Sequence, residues 1–233
     1  MLISILYFIA SFIFFVLFIF FLADYHKTHN KFIYYYALAF LSMFLFSFTA
    51  SVPVIVASDN LQLLAYSRIG QIIFIFGLLF ACLRVQLIVT NHFFKKYFLF
   101  FNIAVGAIAL YVISIAVLNL KTPEVRAVEV IWNTYHLAGK TLGLLAICYG
   151  VFWAYLFYKV ASLISDKLLS RKLMSFSING LLYGVAAFLL FTNENLEAQL
   201  LAILLFGIGG TLSAFVFLPP FIRETLAKRK KTL

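Results

Sequence analysis

A chain of 233 residues that is 65% hydrophobic, only 11% charged and +10 in net charge falls outside the ordinary soluble class, in which the apolar share sits near one half. Membrane-crossing helices of roughly 20 residues each consume most of it, which excludes a soluble catalytic or DNA-binding domain. The positive charge then reads as helix-end lysines and arginines meeting anionic lipid head groups, and nucleic acid is excluded as a partner.

Seven helices are expected, over about 2–23, 32–57, 67–89, 97–119, 131–158, 173–192 and 199–221, because a segment in lipid must satisfy its own backbone hydrogen bonds. The first has no basic residue before its apolar run and no small-residue cleavage site before Asp24, so it reads as a span and not a signal peptide. The second holds Pro53 after Ser47, Thr49 and Ser51, a kink whose freed carbonyls the hydroxyls can meet. The third opens with Arg68 and Gln71 and closes with Arg84 and Gln86, Arg84 snorkelling to the inner interface. Asn102 in the fourth and Asn179 in the sixth are expected to make interhelical hydrogen bonds. The seventh ends at Pro219 and Pro220, which stop a helix.

Basic residues alternate between connections. The first, third and fifth connections and the tail hold Lys27, Lys31, Lys95, Lys96, Lys159, Lys167, Arg171, Lys172, Arg223, Lys228, Arg229, Lys230 and Lys231, thirteen of eighteen. The even-numbered connections carry only Arg68, Lys121 and Arg126, beside Asp59, Glu124, Glu129, Glu194 and Glu197. The positive-inside rule then places the N-terminus outside and the C-terminus in the cytoplasm. Tyr34, Tyr35, Tyr36, Tyr97, Trp132, Tyr135, Trp153, Tyr155 and Tyr158 fall near helix ends and read as an interfacial belt. Gly70 and Gly77, Gly139 and Gly143, Gly180 and Gly184, and Gly207, Gly210 and Ala214 read as packing faces of a compact bundle.

One polar constellation stands out. Glu129, Asn133, His136 and Lys140 are spaced by four, three and four residues on the fifth segment, which places them on one helical face looking into the bundle. With Arg68 and Gln71, and with Asn193, Glu194 and Gln199 around the loop before the seventh helix, they outline an outward-facing pocket beneath Trp132 and Tyr135. Its excess of Arg68, His136 and Lys140 over Glu129 favours a small anionic or carbonyl-bearing ligand, and His136 would add pH sensitivity. The alternative is structural: a snorkelling Lys140 and a hydrogen-bonded buried histidine. Cys82 and Cys148 lie within helices and act as small apolar side chains. His26, His29 and His92 lack metal-site spacing, so no metal or other cofactor is expected. There is no carboxylate pair, His-Glu-x-x-His, nucleophile elbow or phosphate loop, so no enzyme is expected. The segment from Ala198 to Phe221 holds no lysine, which excludes a retinal Schiff base there.

Two stretches carry a resemblance. Leu64-Ala65-Tyr66-Ser67-Arg68-Ile69-Gly70 opens a helix that runs through Phe80 to Thr90 and the basic turn Lys95-Lys96; Asp166-Lys167-Leu168-Leu169-Ser170-Arg171-Lys172 leads into Asn179-Gly180-Leu181-Leu182. In these motifs and in topology the chain resembles the seven-helix N-terminal sensory region of some bacterial histidine kinases. The resemblance implies a sensor in the bacterial cytoplasmic (inner) membrane. Because ten residues follow Arg223, signalling is expected to pass to a membrane or cytoplasmic protein partner, with the tail residues Arg223, Lys228, Arg229, Lys230 and Lys231 as its contact or that of anionic lipid.

The sequence thus describes an all-α, polytopic membrane protein: a seven-transmembrane-helix bundle over 1–221, N-terminus outside, and a short basic cytoplasmic tail over 222–233. Its expected function is that of a non-enzymatic sensor-like or receptor-like module. The alternatives are an assembly subunit of a membrane complex and a small-solute transporter or channel.

Overall fold

The computed structural model describes residues 2–93, 97–119, 121, 123–126, 129–132, 135–193 and 195–217. Among the described residues seven helices follow one another: α1 (Leu2–Thr28), α2 (Lys31–Ala57), α3 (Leu61–Phe93), α4 (Tyr97–Leu118), α5 (His136–Leu163), α6 (Lys167–Thr192) and α7 (Leu196–Phe217). Between α4 and α5 lies a two-stranded antiparallel hairpin, β1 (Glu124–Arg126) and β2 (Glu129–Ile131), in the register Glu124 with Ile131 and Arg126 with Glu129.

Four helices begin directly after an Asn or Asp, and the side chain explains the boundary. Asn30 Oδ1 accepts from the Phe32 amide at 3.0 Å, Asn60 Oδ1 from Leu63 at 3.1 Å, Asp166 Oδ1 from Leu169 at 3.3 Å and Asn195 Oδ1 from Ala198 at 3.0 Å. Each meets an amide that the first helical turn leaves without a partner. Between α1 and α2, His29 takes the left-handed conformation, φ 50°, while its amide still bonds the Tyr25 carbonyl at 2.7 Å. That reverses the chain in two residues.

Each helix packs on its neighbour in chain order, and α1 also packs on α7, so the seven form a closed ring. The α5–α6 contact is the most extensive, and α4 rests thinly on α3 and α5. Aromatics fill much of the half that holds the α1–α2 turn: Phe21, Tyr36, Phe40 and Phe176 stack or meet edge to face at centroid distances of 4.5 to 5.3 Å. At the opposite end Val130 and Trp132 of the hairpin close over Ile3, Tyr7 and Leu64. The outer surface is apolar as well, with Phe12, Ile73, Ile103, Leu144 and Leu204 all exposed. A ring that is apolar outside as well as inside is built for lipid.

Six helices are long and apolar enough to cross a membrane; in α4 the apolar stretch among the described residues, Ile103–Leu118, is shorter. The chain is therefore an all-helical, multi-pass membrane protein, apart from its small hairpin.

The fifth helix departs from expectation. It starts at His136 and not near 131, because Val125, Val130 and Ile131, favoured in strands by their branching, pair in the hairpin. Glu129 accordingly sits on β2 and does not share a helical face with His136 and Lys140. The belt assignment also needs correction at three positions: Tyr36, Trp132 and Trp153 are buried. Tyr135, Tyr155 and Tyr158 are exposed.

Candidate functional site

The residues singled out in the sequence separate into two groups. Arg68 and Gln71, one turn apart on α3, are fully buried. Arg68 Nη1 donates to Gln71 Oε1 at 2.8 Å. Gln71 Nε2 in turn reaches the Thr49 carbonyl of α2 at 3.5 Å, the long end of hydrogen-bonding range. That carbonyl lies four residues before Pro53, which has no amide to offer it. The pair therefore helps complete the α2 backbone where proline interrupts it, while the Thr49 hydroxyl bonds back to Leu45 at 2.8 Å and Ser51 to Phe48 at 3.1 Å. His136 and Lys140 are both exposed, in the first turns of α5, and line neither interior cavity. The structure does not bring them together with Arg68 and Gln71 in one buried face. Asn133 and Glu194 lie outside the described residues, as do Arg223, Lys228, Arg229, Lys230 and Lys231.

The feature that the ring builds lies at its centre. A cavity of about 170 Å³ is bounded by α2, α3, α4, α5 and α6. Its wall is almost wholly apolar, with Phe40, Met43, Ile75, Leu142 and Phe191 among its residues. Against that wall stand Tyr36, Tyr149, Trp153, Asn179 and Tyr183. A smaller cavity of about 80 Å³ adjoins it beyond Met43, Ile75 and Tyr183, reaching Ser42 and Ser47.

Backbone contact between α5 and α6 positions these polar groups. A methyl group at Gly150 would stand 2.5 Å from the Gly180 carbonyl oxygen, and one at Gly180 would strike the Trp153 indole. The seam is pinned by three further bonds: Trp153 Nε1 donates to the Phe176 carbonyl at 3.1 Å, Ser177 Oγ to Ala154 at 2.7 Å and Ser170 Oγ to Ala161 at 2.9 Å. Tyr149 and Trp153, four apart on α5, and Asn179 and Tyr183, four apart on α6, are thereby turned to one interior space.

The polar atoms there are only partly satisfied. Asn179 Nδ2 donates to Ser213 Oγ of α7 at 2.6 Å, the interhelical bond expected of that residue. Tyr36 joins this cluster through Ser213 and Asn179. The Tyr183 hydroxyl stands beside Ser213 without closing a hydrogen bond to it. Tyr149 OH, Tyr183 OH and Asn179 Oδ1 are buried atoms with no hydrogen-bond partner among the described residues, an arrangement that folded proteins seldom leave without a reason. Among the described residues, no Asp, Glu, Lys, Arg or His lines the cavity.

Sequence reasoning passed over this site. Tyr36 and Trp153 read as belt, and Tyr149 and Tyr183 drew no attention, since a tyrosine inside an apolar run has no pattern of its own. The available signal was the i, i+4 pairing of Tyr149 with Trp153 and of Asn179 with Tyr183 on two helices that both carry glycine.

Comparison with protein-family models, with curated proteins and with solved structures gives no significant match. The functional reading therefore rests on residues and geometry.

Proposed function

We propose that this chain is a non-enzymatic, sensor-like membrane module that binds a small molecule inside its helix ring and passes the signal to a partner protein. In this reading all seven helices span the bacterial cytoplasmic membrane, with the N-terminus outside and the C-terminus in the cytoplasm. The observation that carries it is the central cavity. Side chains of α5 and α6 that carry unpartnered buried polar atoms line an apolar space bordered by five helices, which is the general form of a small-molecule site. Occupancy of such a space bears on all five helices together, and the α4 wall, held most thinly, is the element best able to answer it. The orientation is supported by the alternation of charge along the connections. The outward pocket around Arg68 does not carry the reading, because Arg68 and Gln71 have a structural use at Pro53.

The test is purification in native nanodiscs followed by mass spectrometry of bound molecules. A stoichiometric small molecule, lost when Ala109→Phe fills the cavity, is the expected result. A chain that emerges with no small molecule but with a stoichiometric membrane partner would replace this reading by that of an assembly subunit. One observation favours this second reading: a side chain added at Gly207 on α7 would meet nothing within 4 Å, leaving a surface that another helix can approach closely.

A further inference from the structure

The walls of the central cavity sort its ligands by charge, size and hydrogen bonding. Among the described residues no Asp, Glu, Lys, Arg or His lines it, and a charge moved into such a space without a partner costs more than its hydrogen bonds return. The occupant is therefore neutral, not the anion that the residue types near Arg68, His136 and Lys140 had implied. The volume of about 170 Å³ compares with the ~150 Å³ of an engineered apolar cavity that holds benzene. That is room for one ring with small substituents. Finally, Tyr149, Tyr183 and Asn179 line the cavity; the two hydroxyls donate and accept whereas Asn179 Oδ1 only accepts, and all three atoms are buried without a hydrogen-bond partner among the described residues, so an occupant meets them through a side-chain rotation that brings them to the cavity surface.

We propose that the cavity binds a neutral, single-ring lipophilic molecule carrying a hydroxyl or N–H that donates to Asn179 and an oxygen or nitrogen that accepts from Tyr149 or Tyr183. A simple phenol combines both functions in one group. Trp153, Tyr36 and Phe40 supply aromatic faces and edges for the ring. The inference rests on the reading that the ring interior is the binding site, and it adds the chemical class.

Trp153 makes a direct test possible, because it lines the cavity and Trp132 is the only other tryptophan. The probes are 4-bromophenol, bromobenzene and 4-bromobenzoate, which share a quenching bromine and differ in polar group and charge. They are titrated into the full chain carrying Trp132→Phe, in nanodiscs of defined lipid, with Trp153→Phe as the complementary chain. Saturable quenching of Trp153 by 4-bromophenol is expected, with no saturable component from Trp132. Of Tyr149→Phe and Tyr183→Phe, the one that removes the donating hydroxyl should weaken it about tenfold, the loss of one hydrogen bond, and the other should leave it unchanged. Both remove hydroxyls that have no partner, so thermal stability without probe should not fall. Ala109→Phe should abolish saturation, and Ala109→Leu should weaken it if the larger variant fails to fold.

Saturation by bromobenzene equal to that by 4-bromophenol would overturn the proposed hydrogen bonding and leave the interior site standing. Saturation by 4-bromobenzoate alone would overturn neutrality in the same way. Quenching by all three that only rises in proportion to probe dissolved in the bilayer would overturn the interior site itself, and the sensor reading with it.

Discussion

At the scale of single residues, Arg68 and Gln71 act as one unit, the guanidinium donating to the amide oxygen while the amide nitrogen reaches the Thr49 carbonyl on α2. An intramembrane arginine invites a functional reading, and only the geometry reveals that Gln71 links it to a carbonyl that Pro53 strips of its usual donor. The arrangement makes an asymmetric prediction. Gln71→Leu leaves a buried guanidinium without the Gln71 acceptor and should cost about 2 kcal/mol, in the range for hydrogen bonds to charged groups. Arg68→Met removes the charge together with its need for an acceptor. The double variant should therefore be less destabilised than the two single losses added together, because the second change removes the group whose Gln71 acceptor the first took away. Denaturation of the four chains in one detergent measures the coupling, and strict additivity would show that the pair acts independently.

At the scale of elements, the sequence located every helix but misplaced several ends, and the reasons differ. Apolar runs mark where lipid is met, whereas a helix continues as long as its backbone bonds and caps allow. Thus α1 runs on to Thr28 and α3 starts at Leu61, the latter set by Asn60, whose capping role was legible in the sequence and went unused. The start of α5 was not legible from apolarity, since Ile131 and Trp132 suit a span as well as a hairpin that folds over α1. The glycine pairs were read correctly as close approaches on α6, but Gly150, their partner on α5, was missed. Its position between Tyr149 and Trp153 is what brings the two helices together. Gly150→Val should be among the most disruptive single changes, costing about 3 kcal/mol, the upper end of overpacking penalties, because the atoms in its way are backbone. Gly207→Ala, with open space around it, should be neutral or stabilising by up to about 1 kcal/mol from helix propensity alone. Thermal unfolding of the two variants side by side separates packing from propensity. Equal effects would remove the α5–α6 seam as the rigid element of the ring.

At the scale of the whole molecule, closure of seven helices into a ring has no signature in a linear sequence. The central cavity draws its wall from residues spread over five helices, and it exists because α4 bridges α3 and α5 while α1 meets α7. The sequence does carry sidedness, and the fold makes it testable, since the connections divide between two ends. The α1 and α3 starts lie with the hairpin, as Ile3, Tyr7 and Leu64 pack with Val130 and Trp132. The turns after α1 and after α5, at His29 and Asp166, lie at the opposite end by the alternation of antiparallel neighbours. If charge sets orientation, the hairpin end faces outward, away from Lys27, Lys31, Lys167 and Arg171. With Cys82 and Cys148, the two native cysteines, replaced by alanine, Asp59→Cys and Lys121→Cys should react with a membrane-impermeant maleimide in intact cells. His29→Cys and Asp166→Cys should react only after the membrane is opened. The mirror-image pattern would invert the orientation and leave the ring intact. Labelling of Lys121→Cys and Asp166→Cys from the same side would require an even number of crossings between them, which a single membrane-spanning α5 does not permit, and would contradict the seven-span topology at the helix that lines most of the cavity with α6.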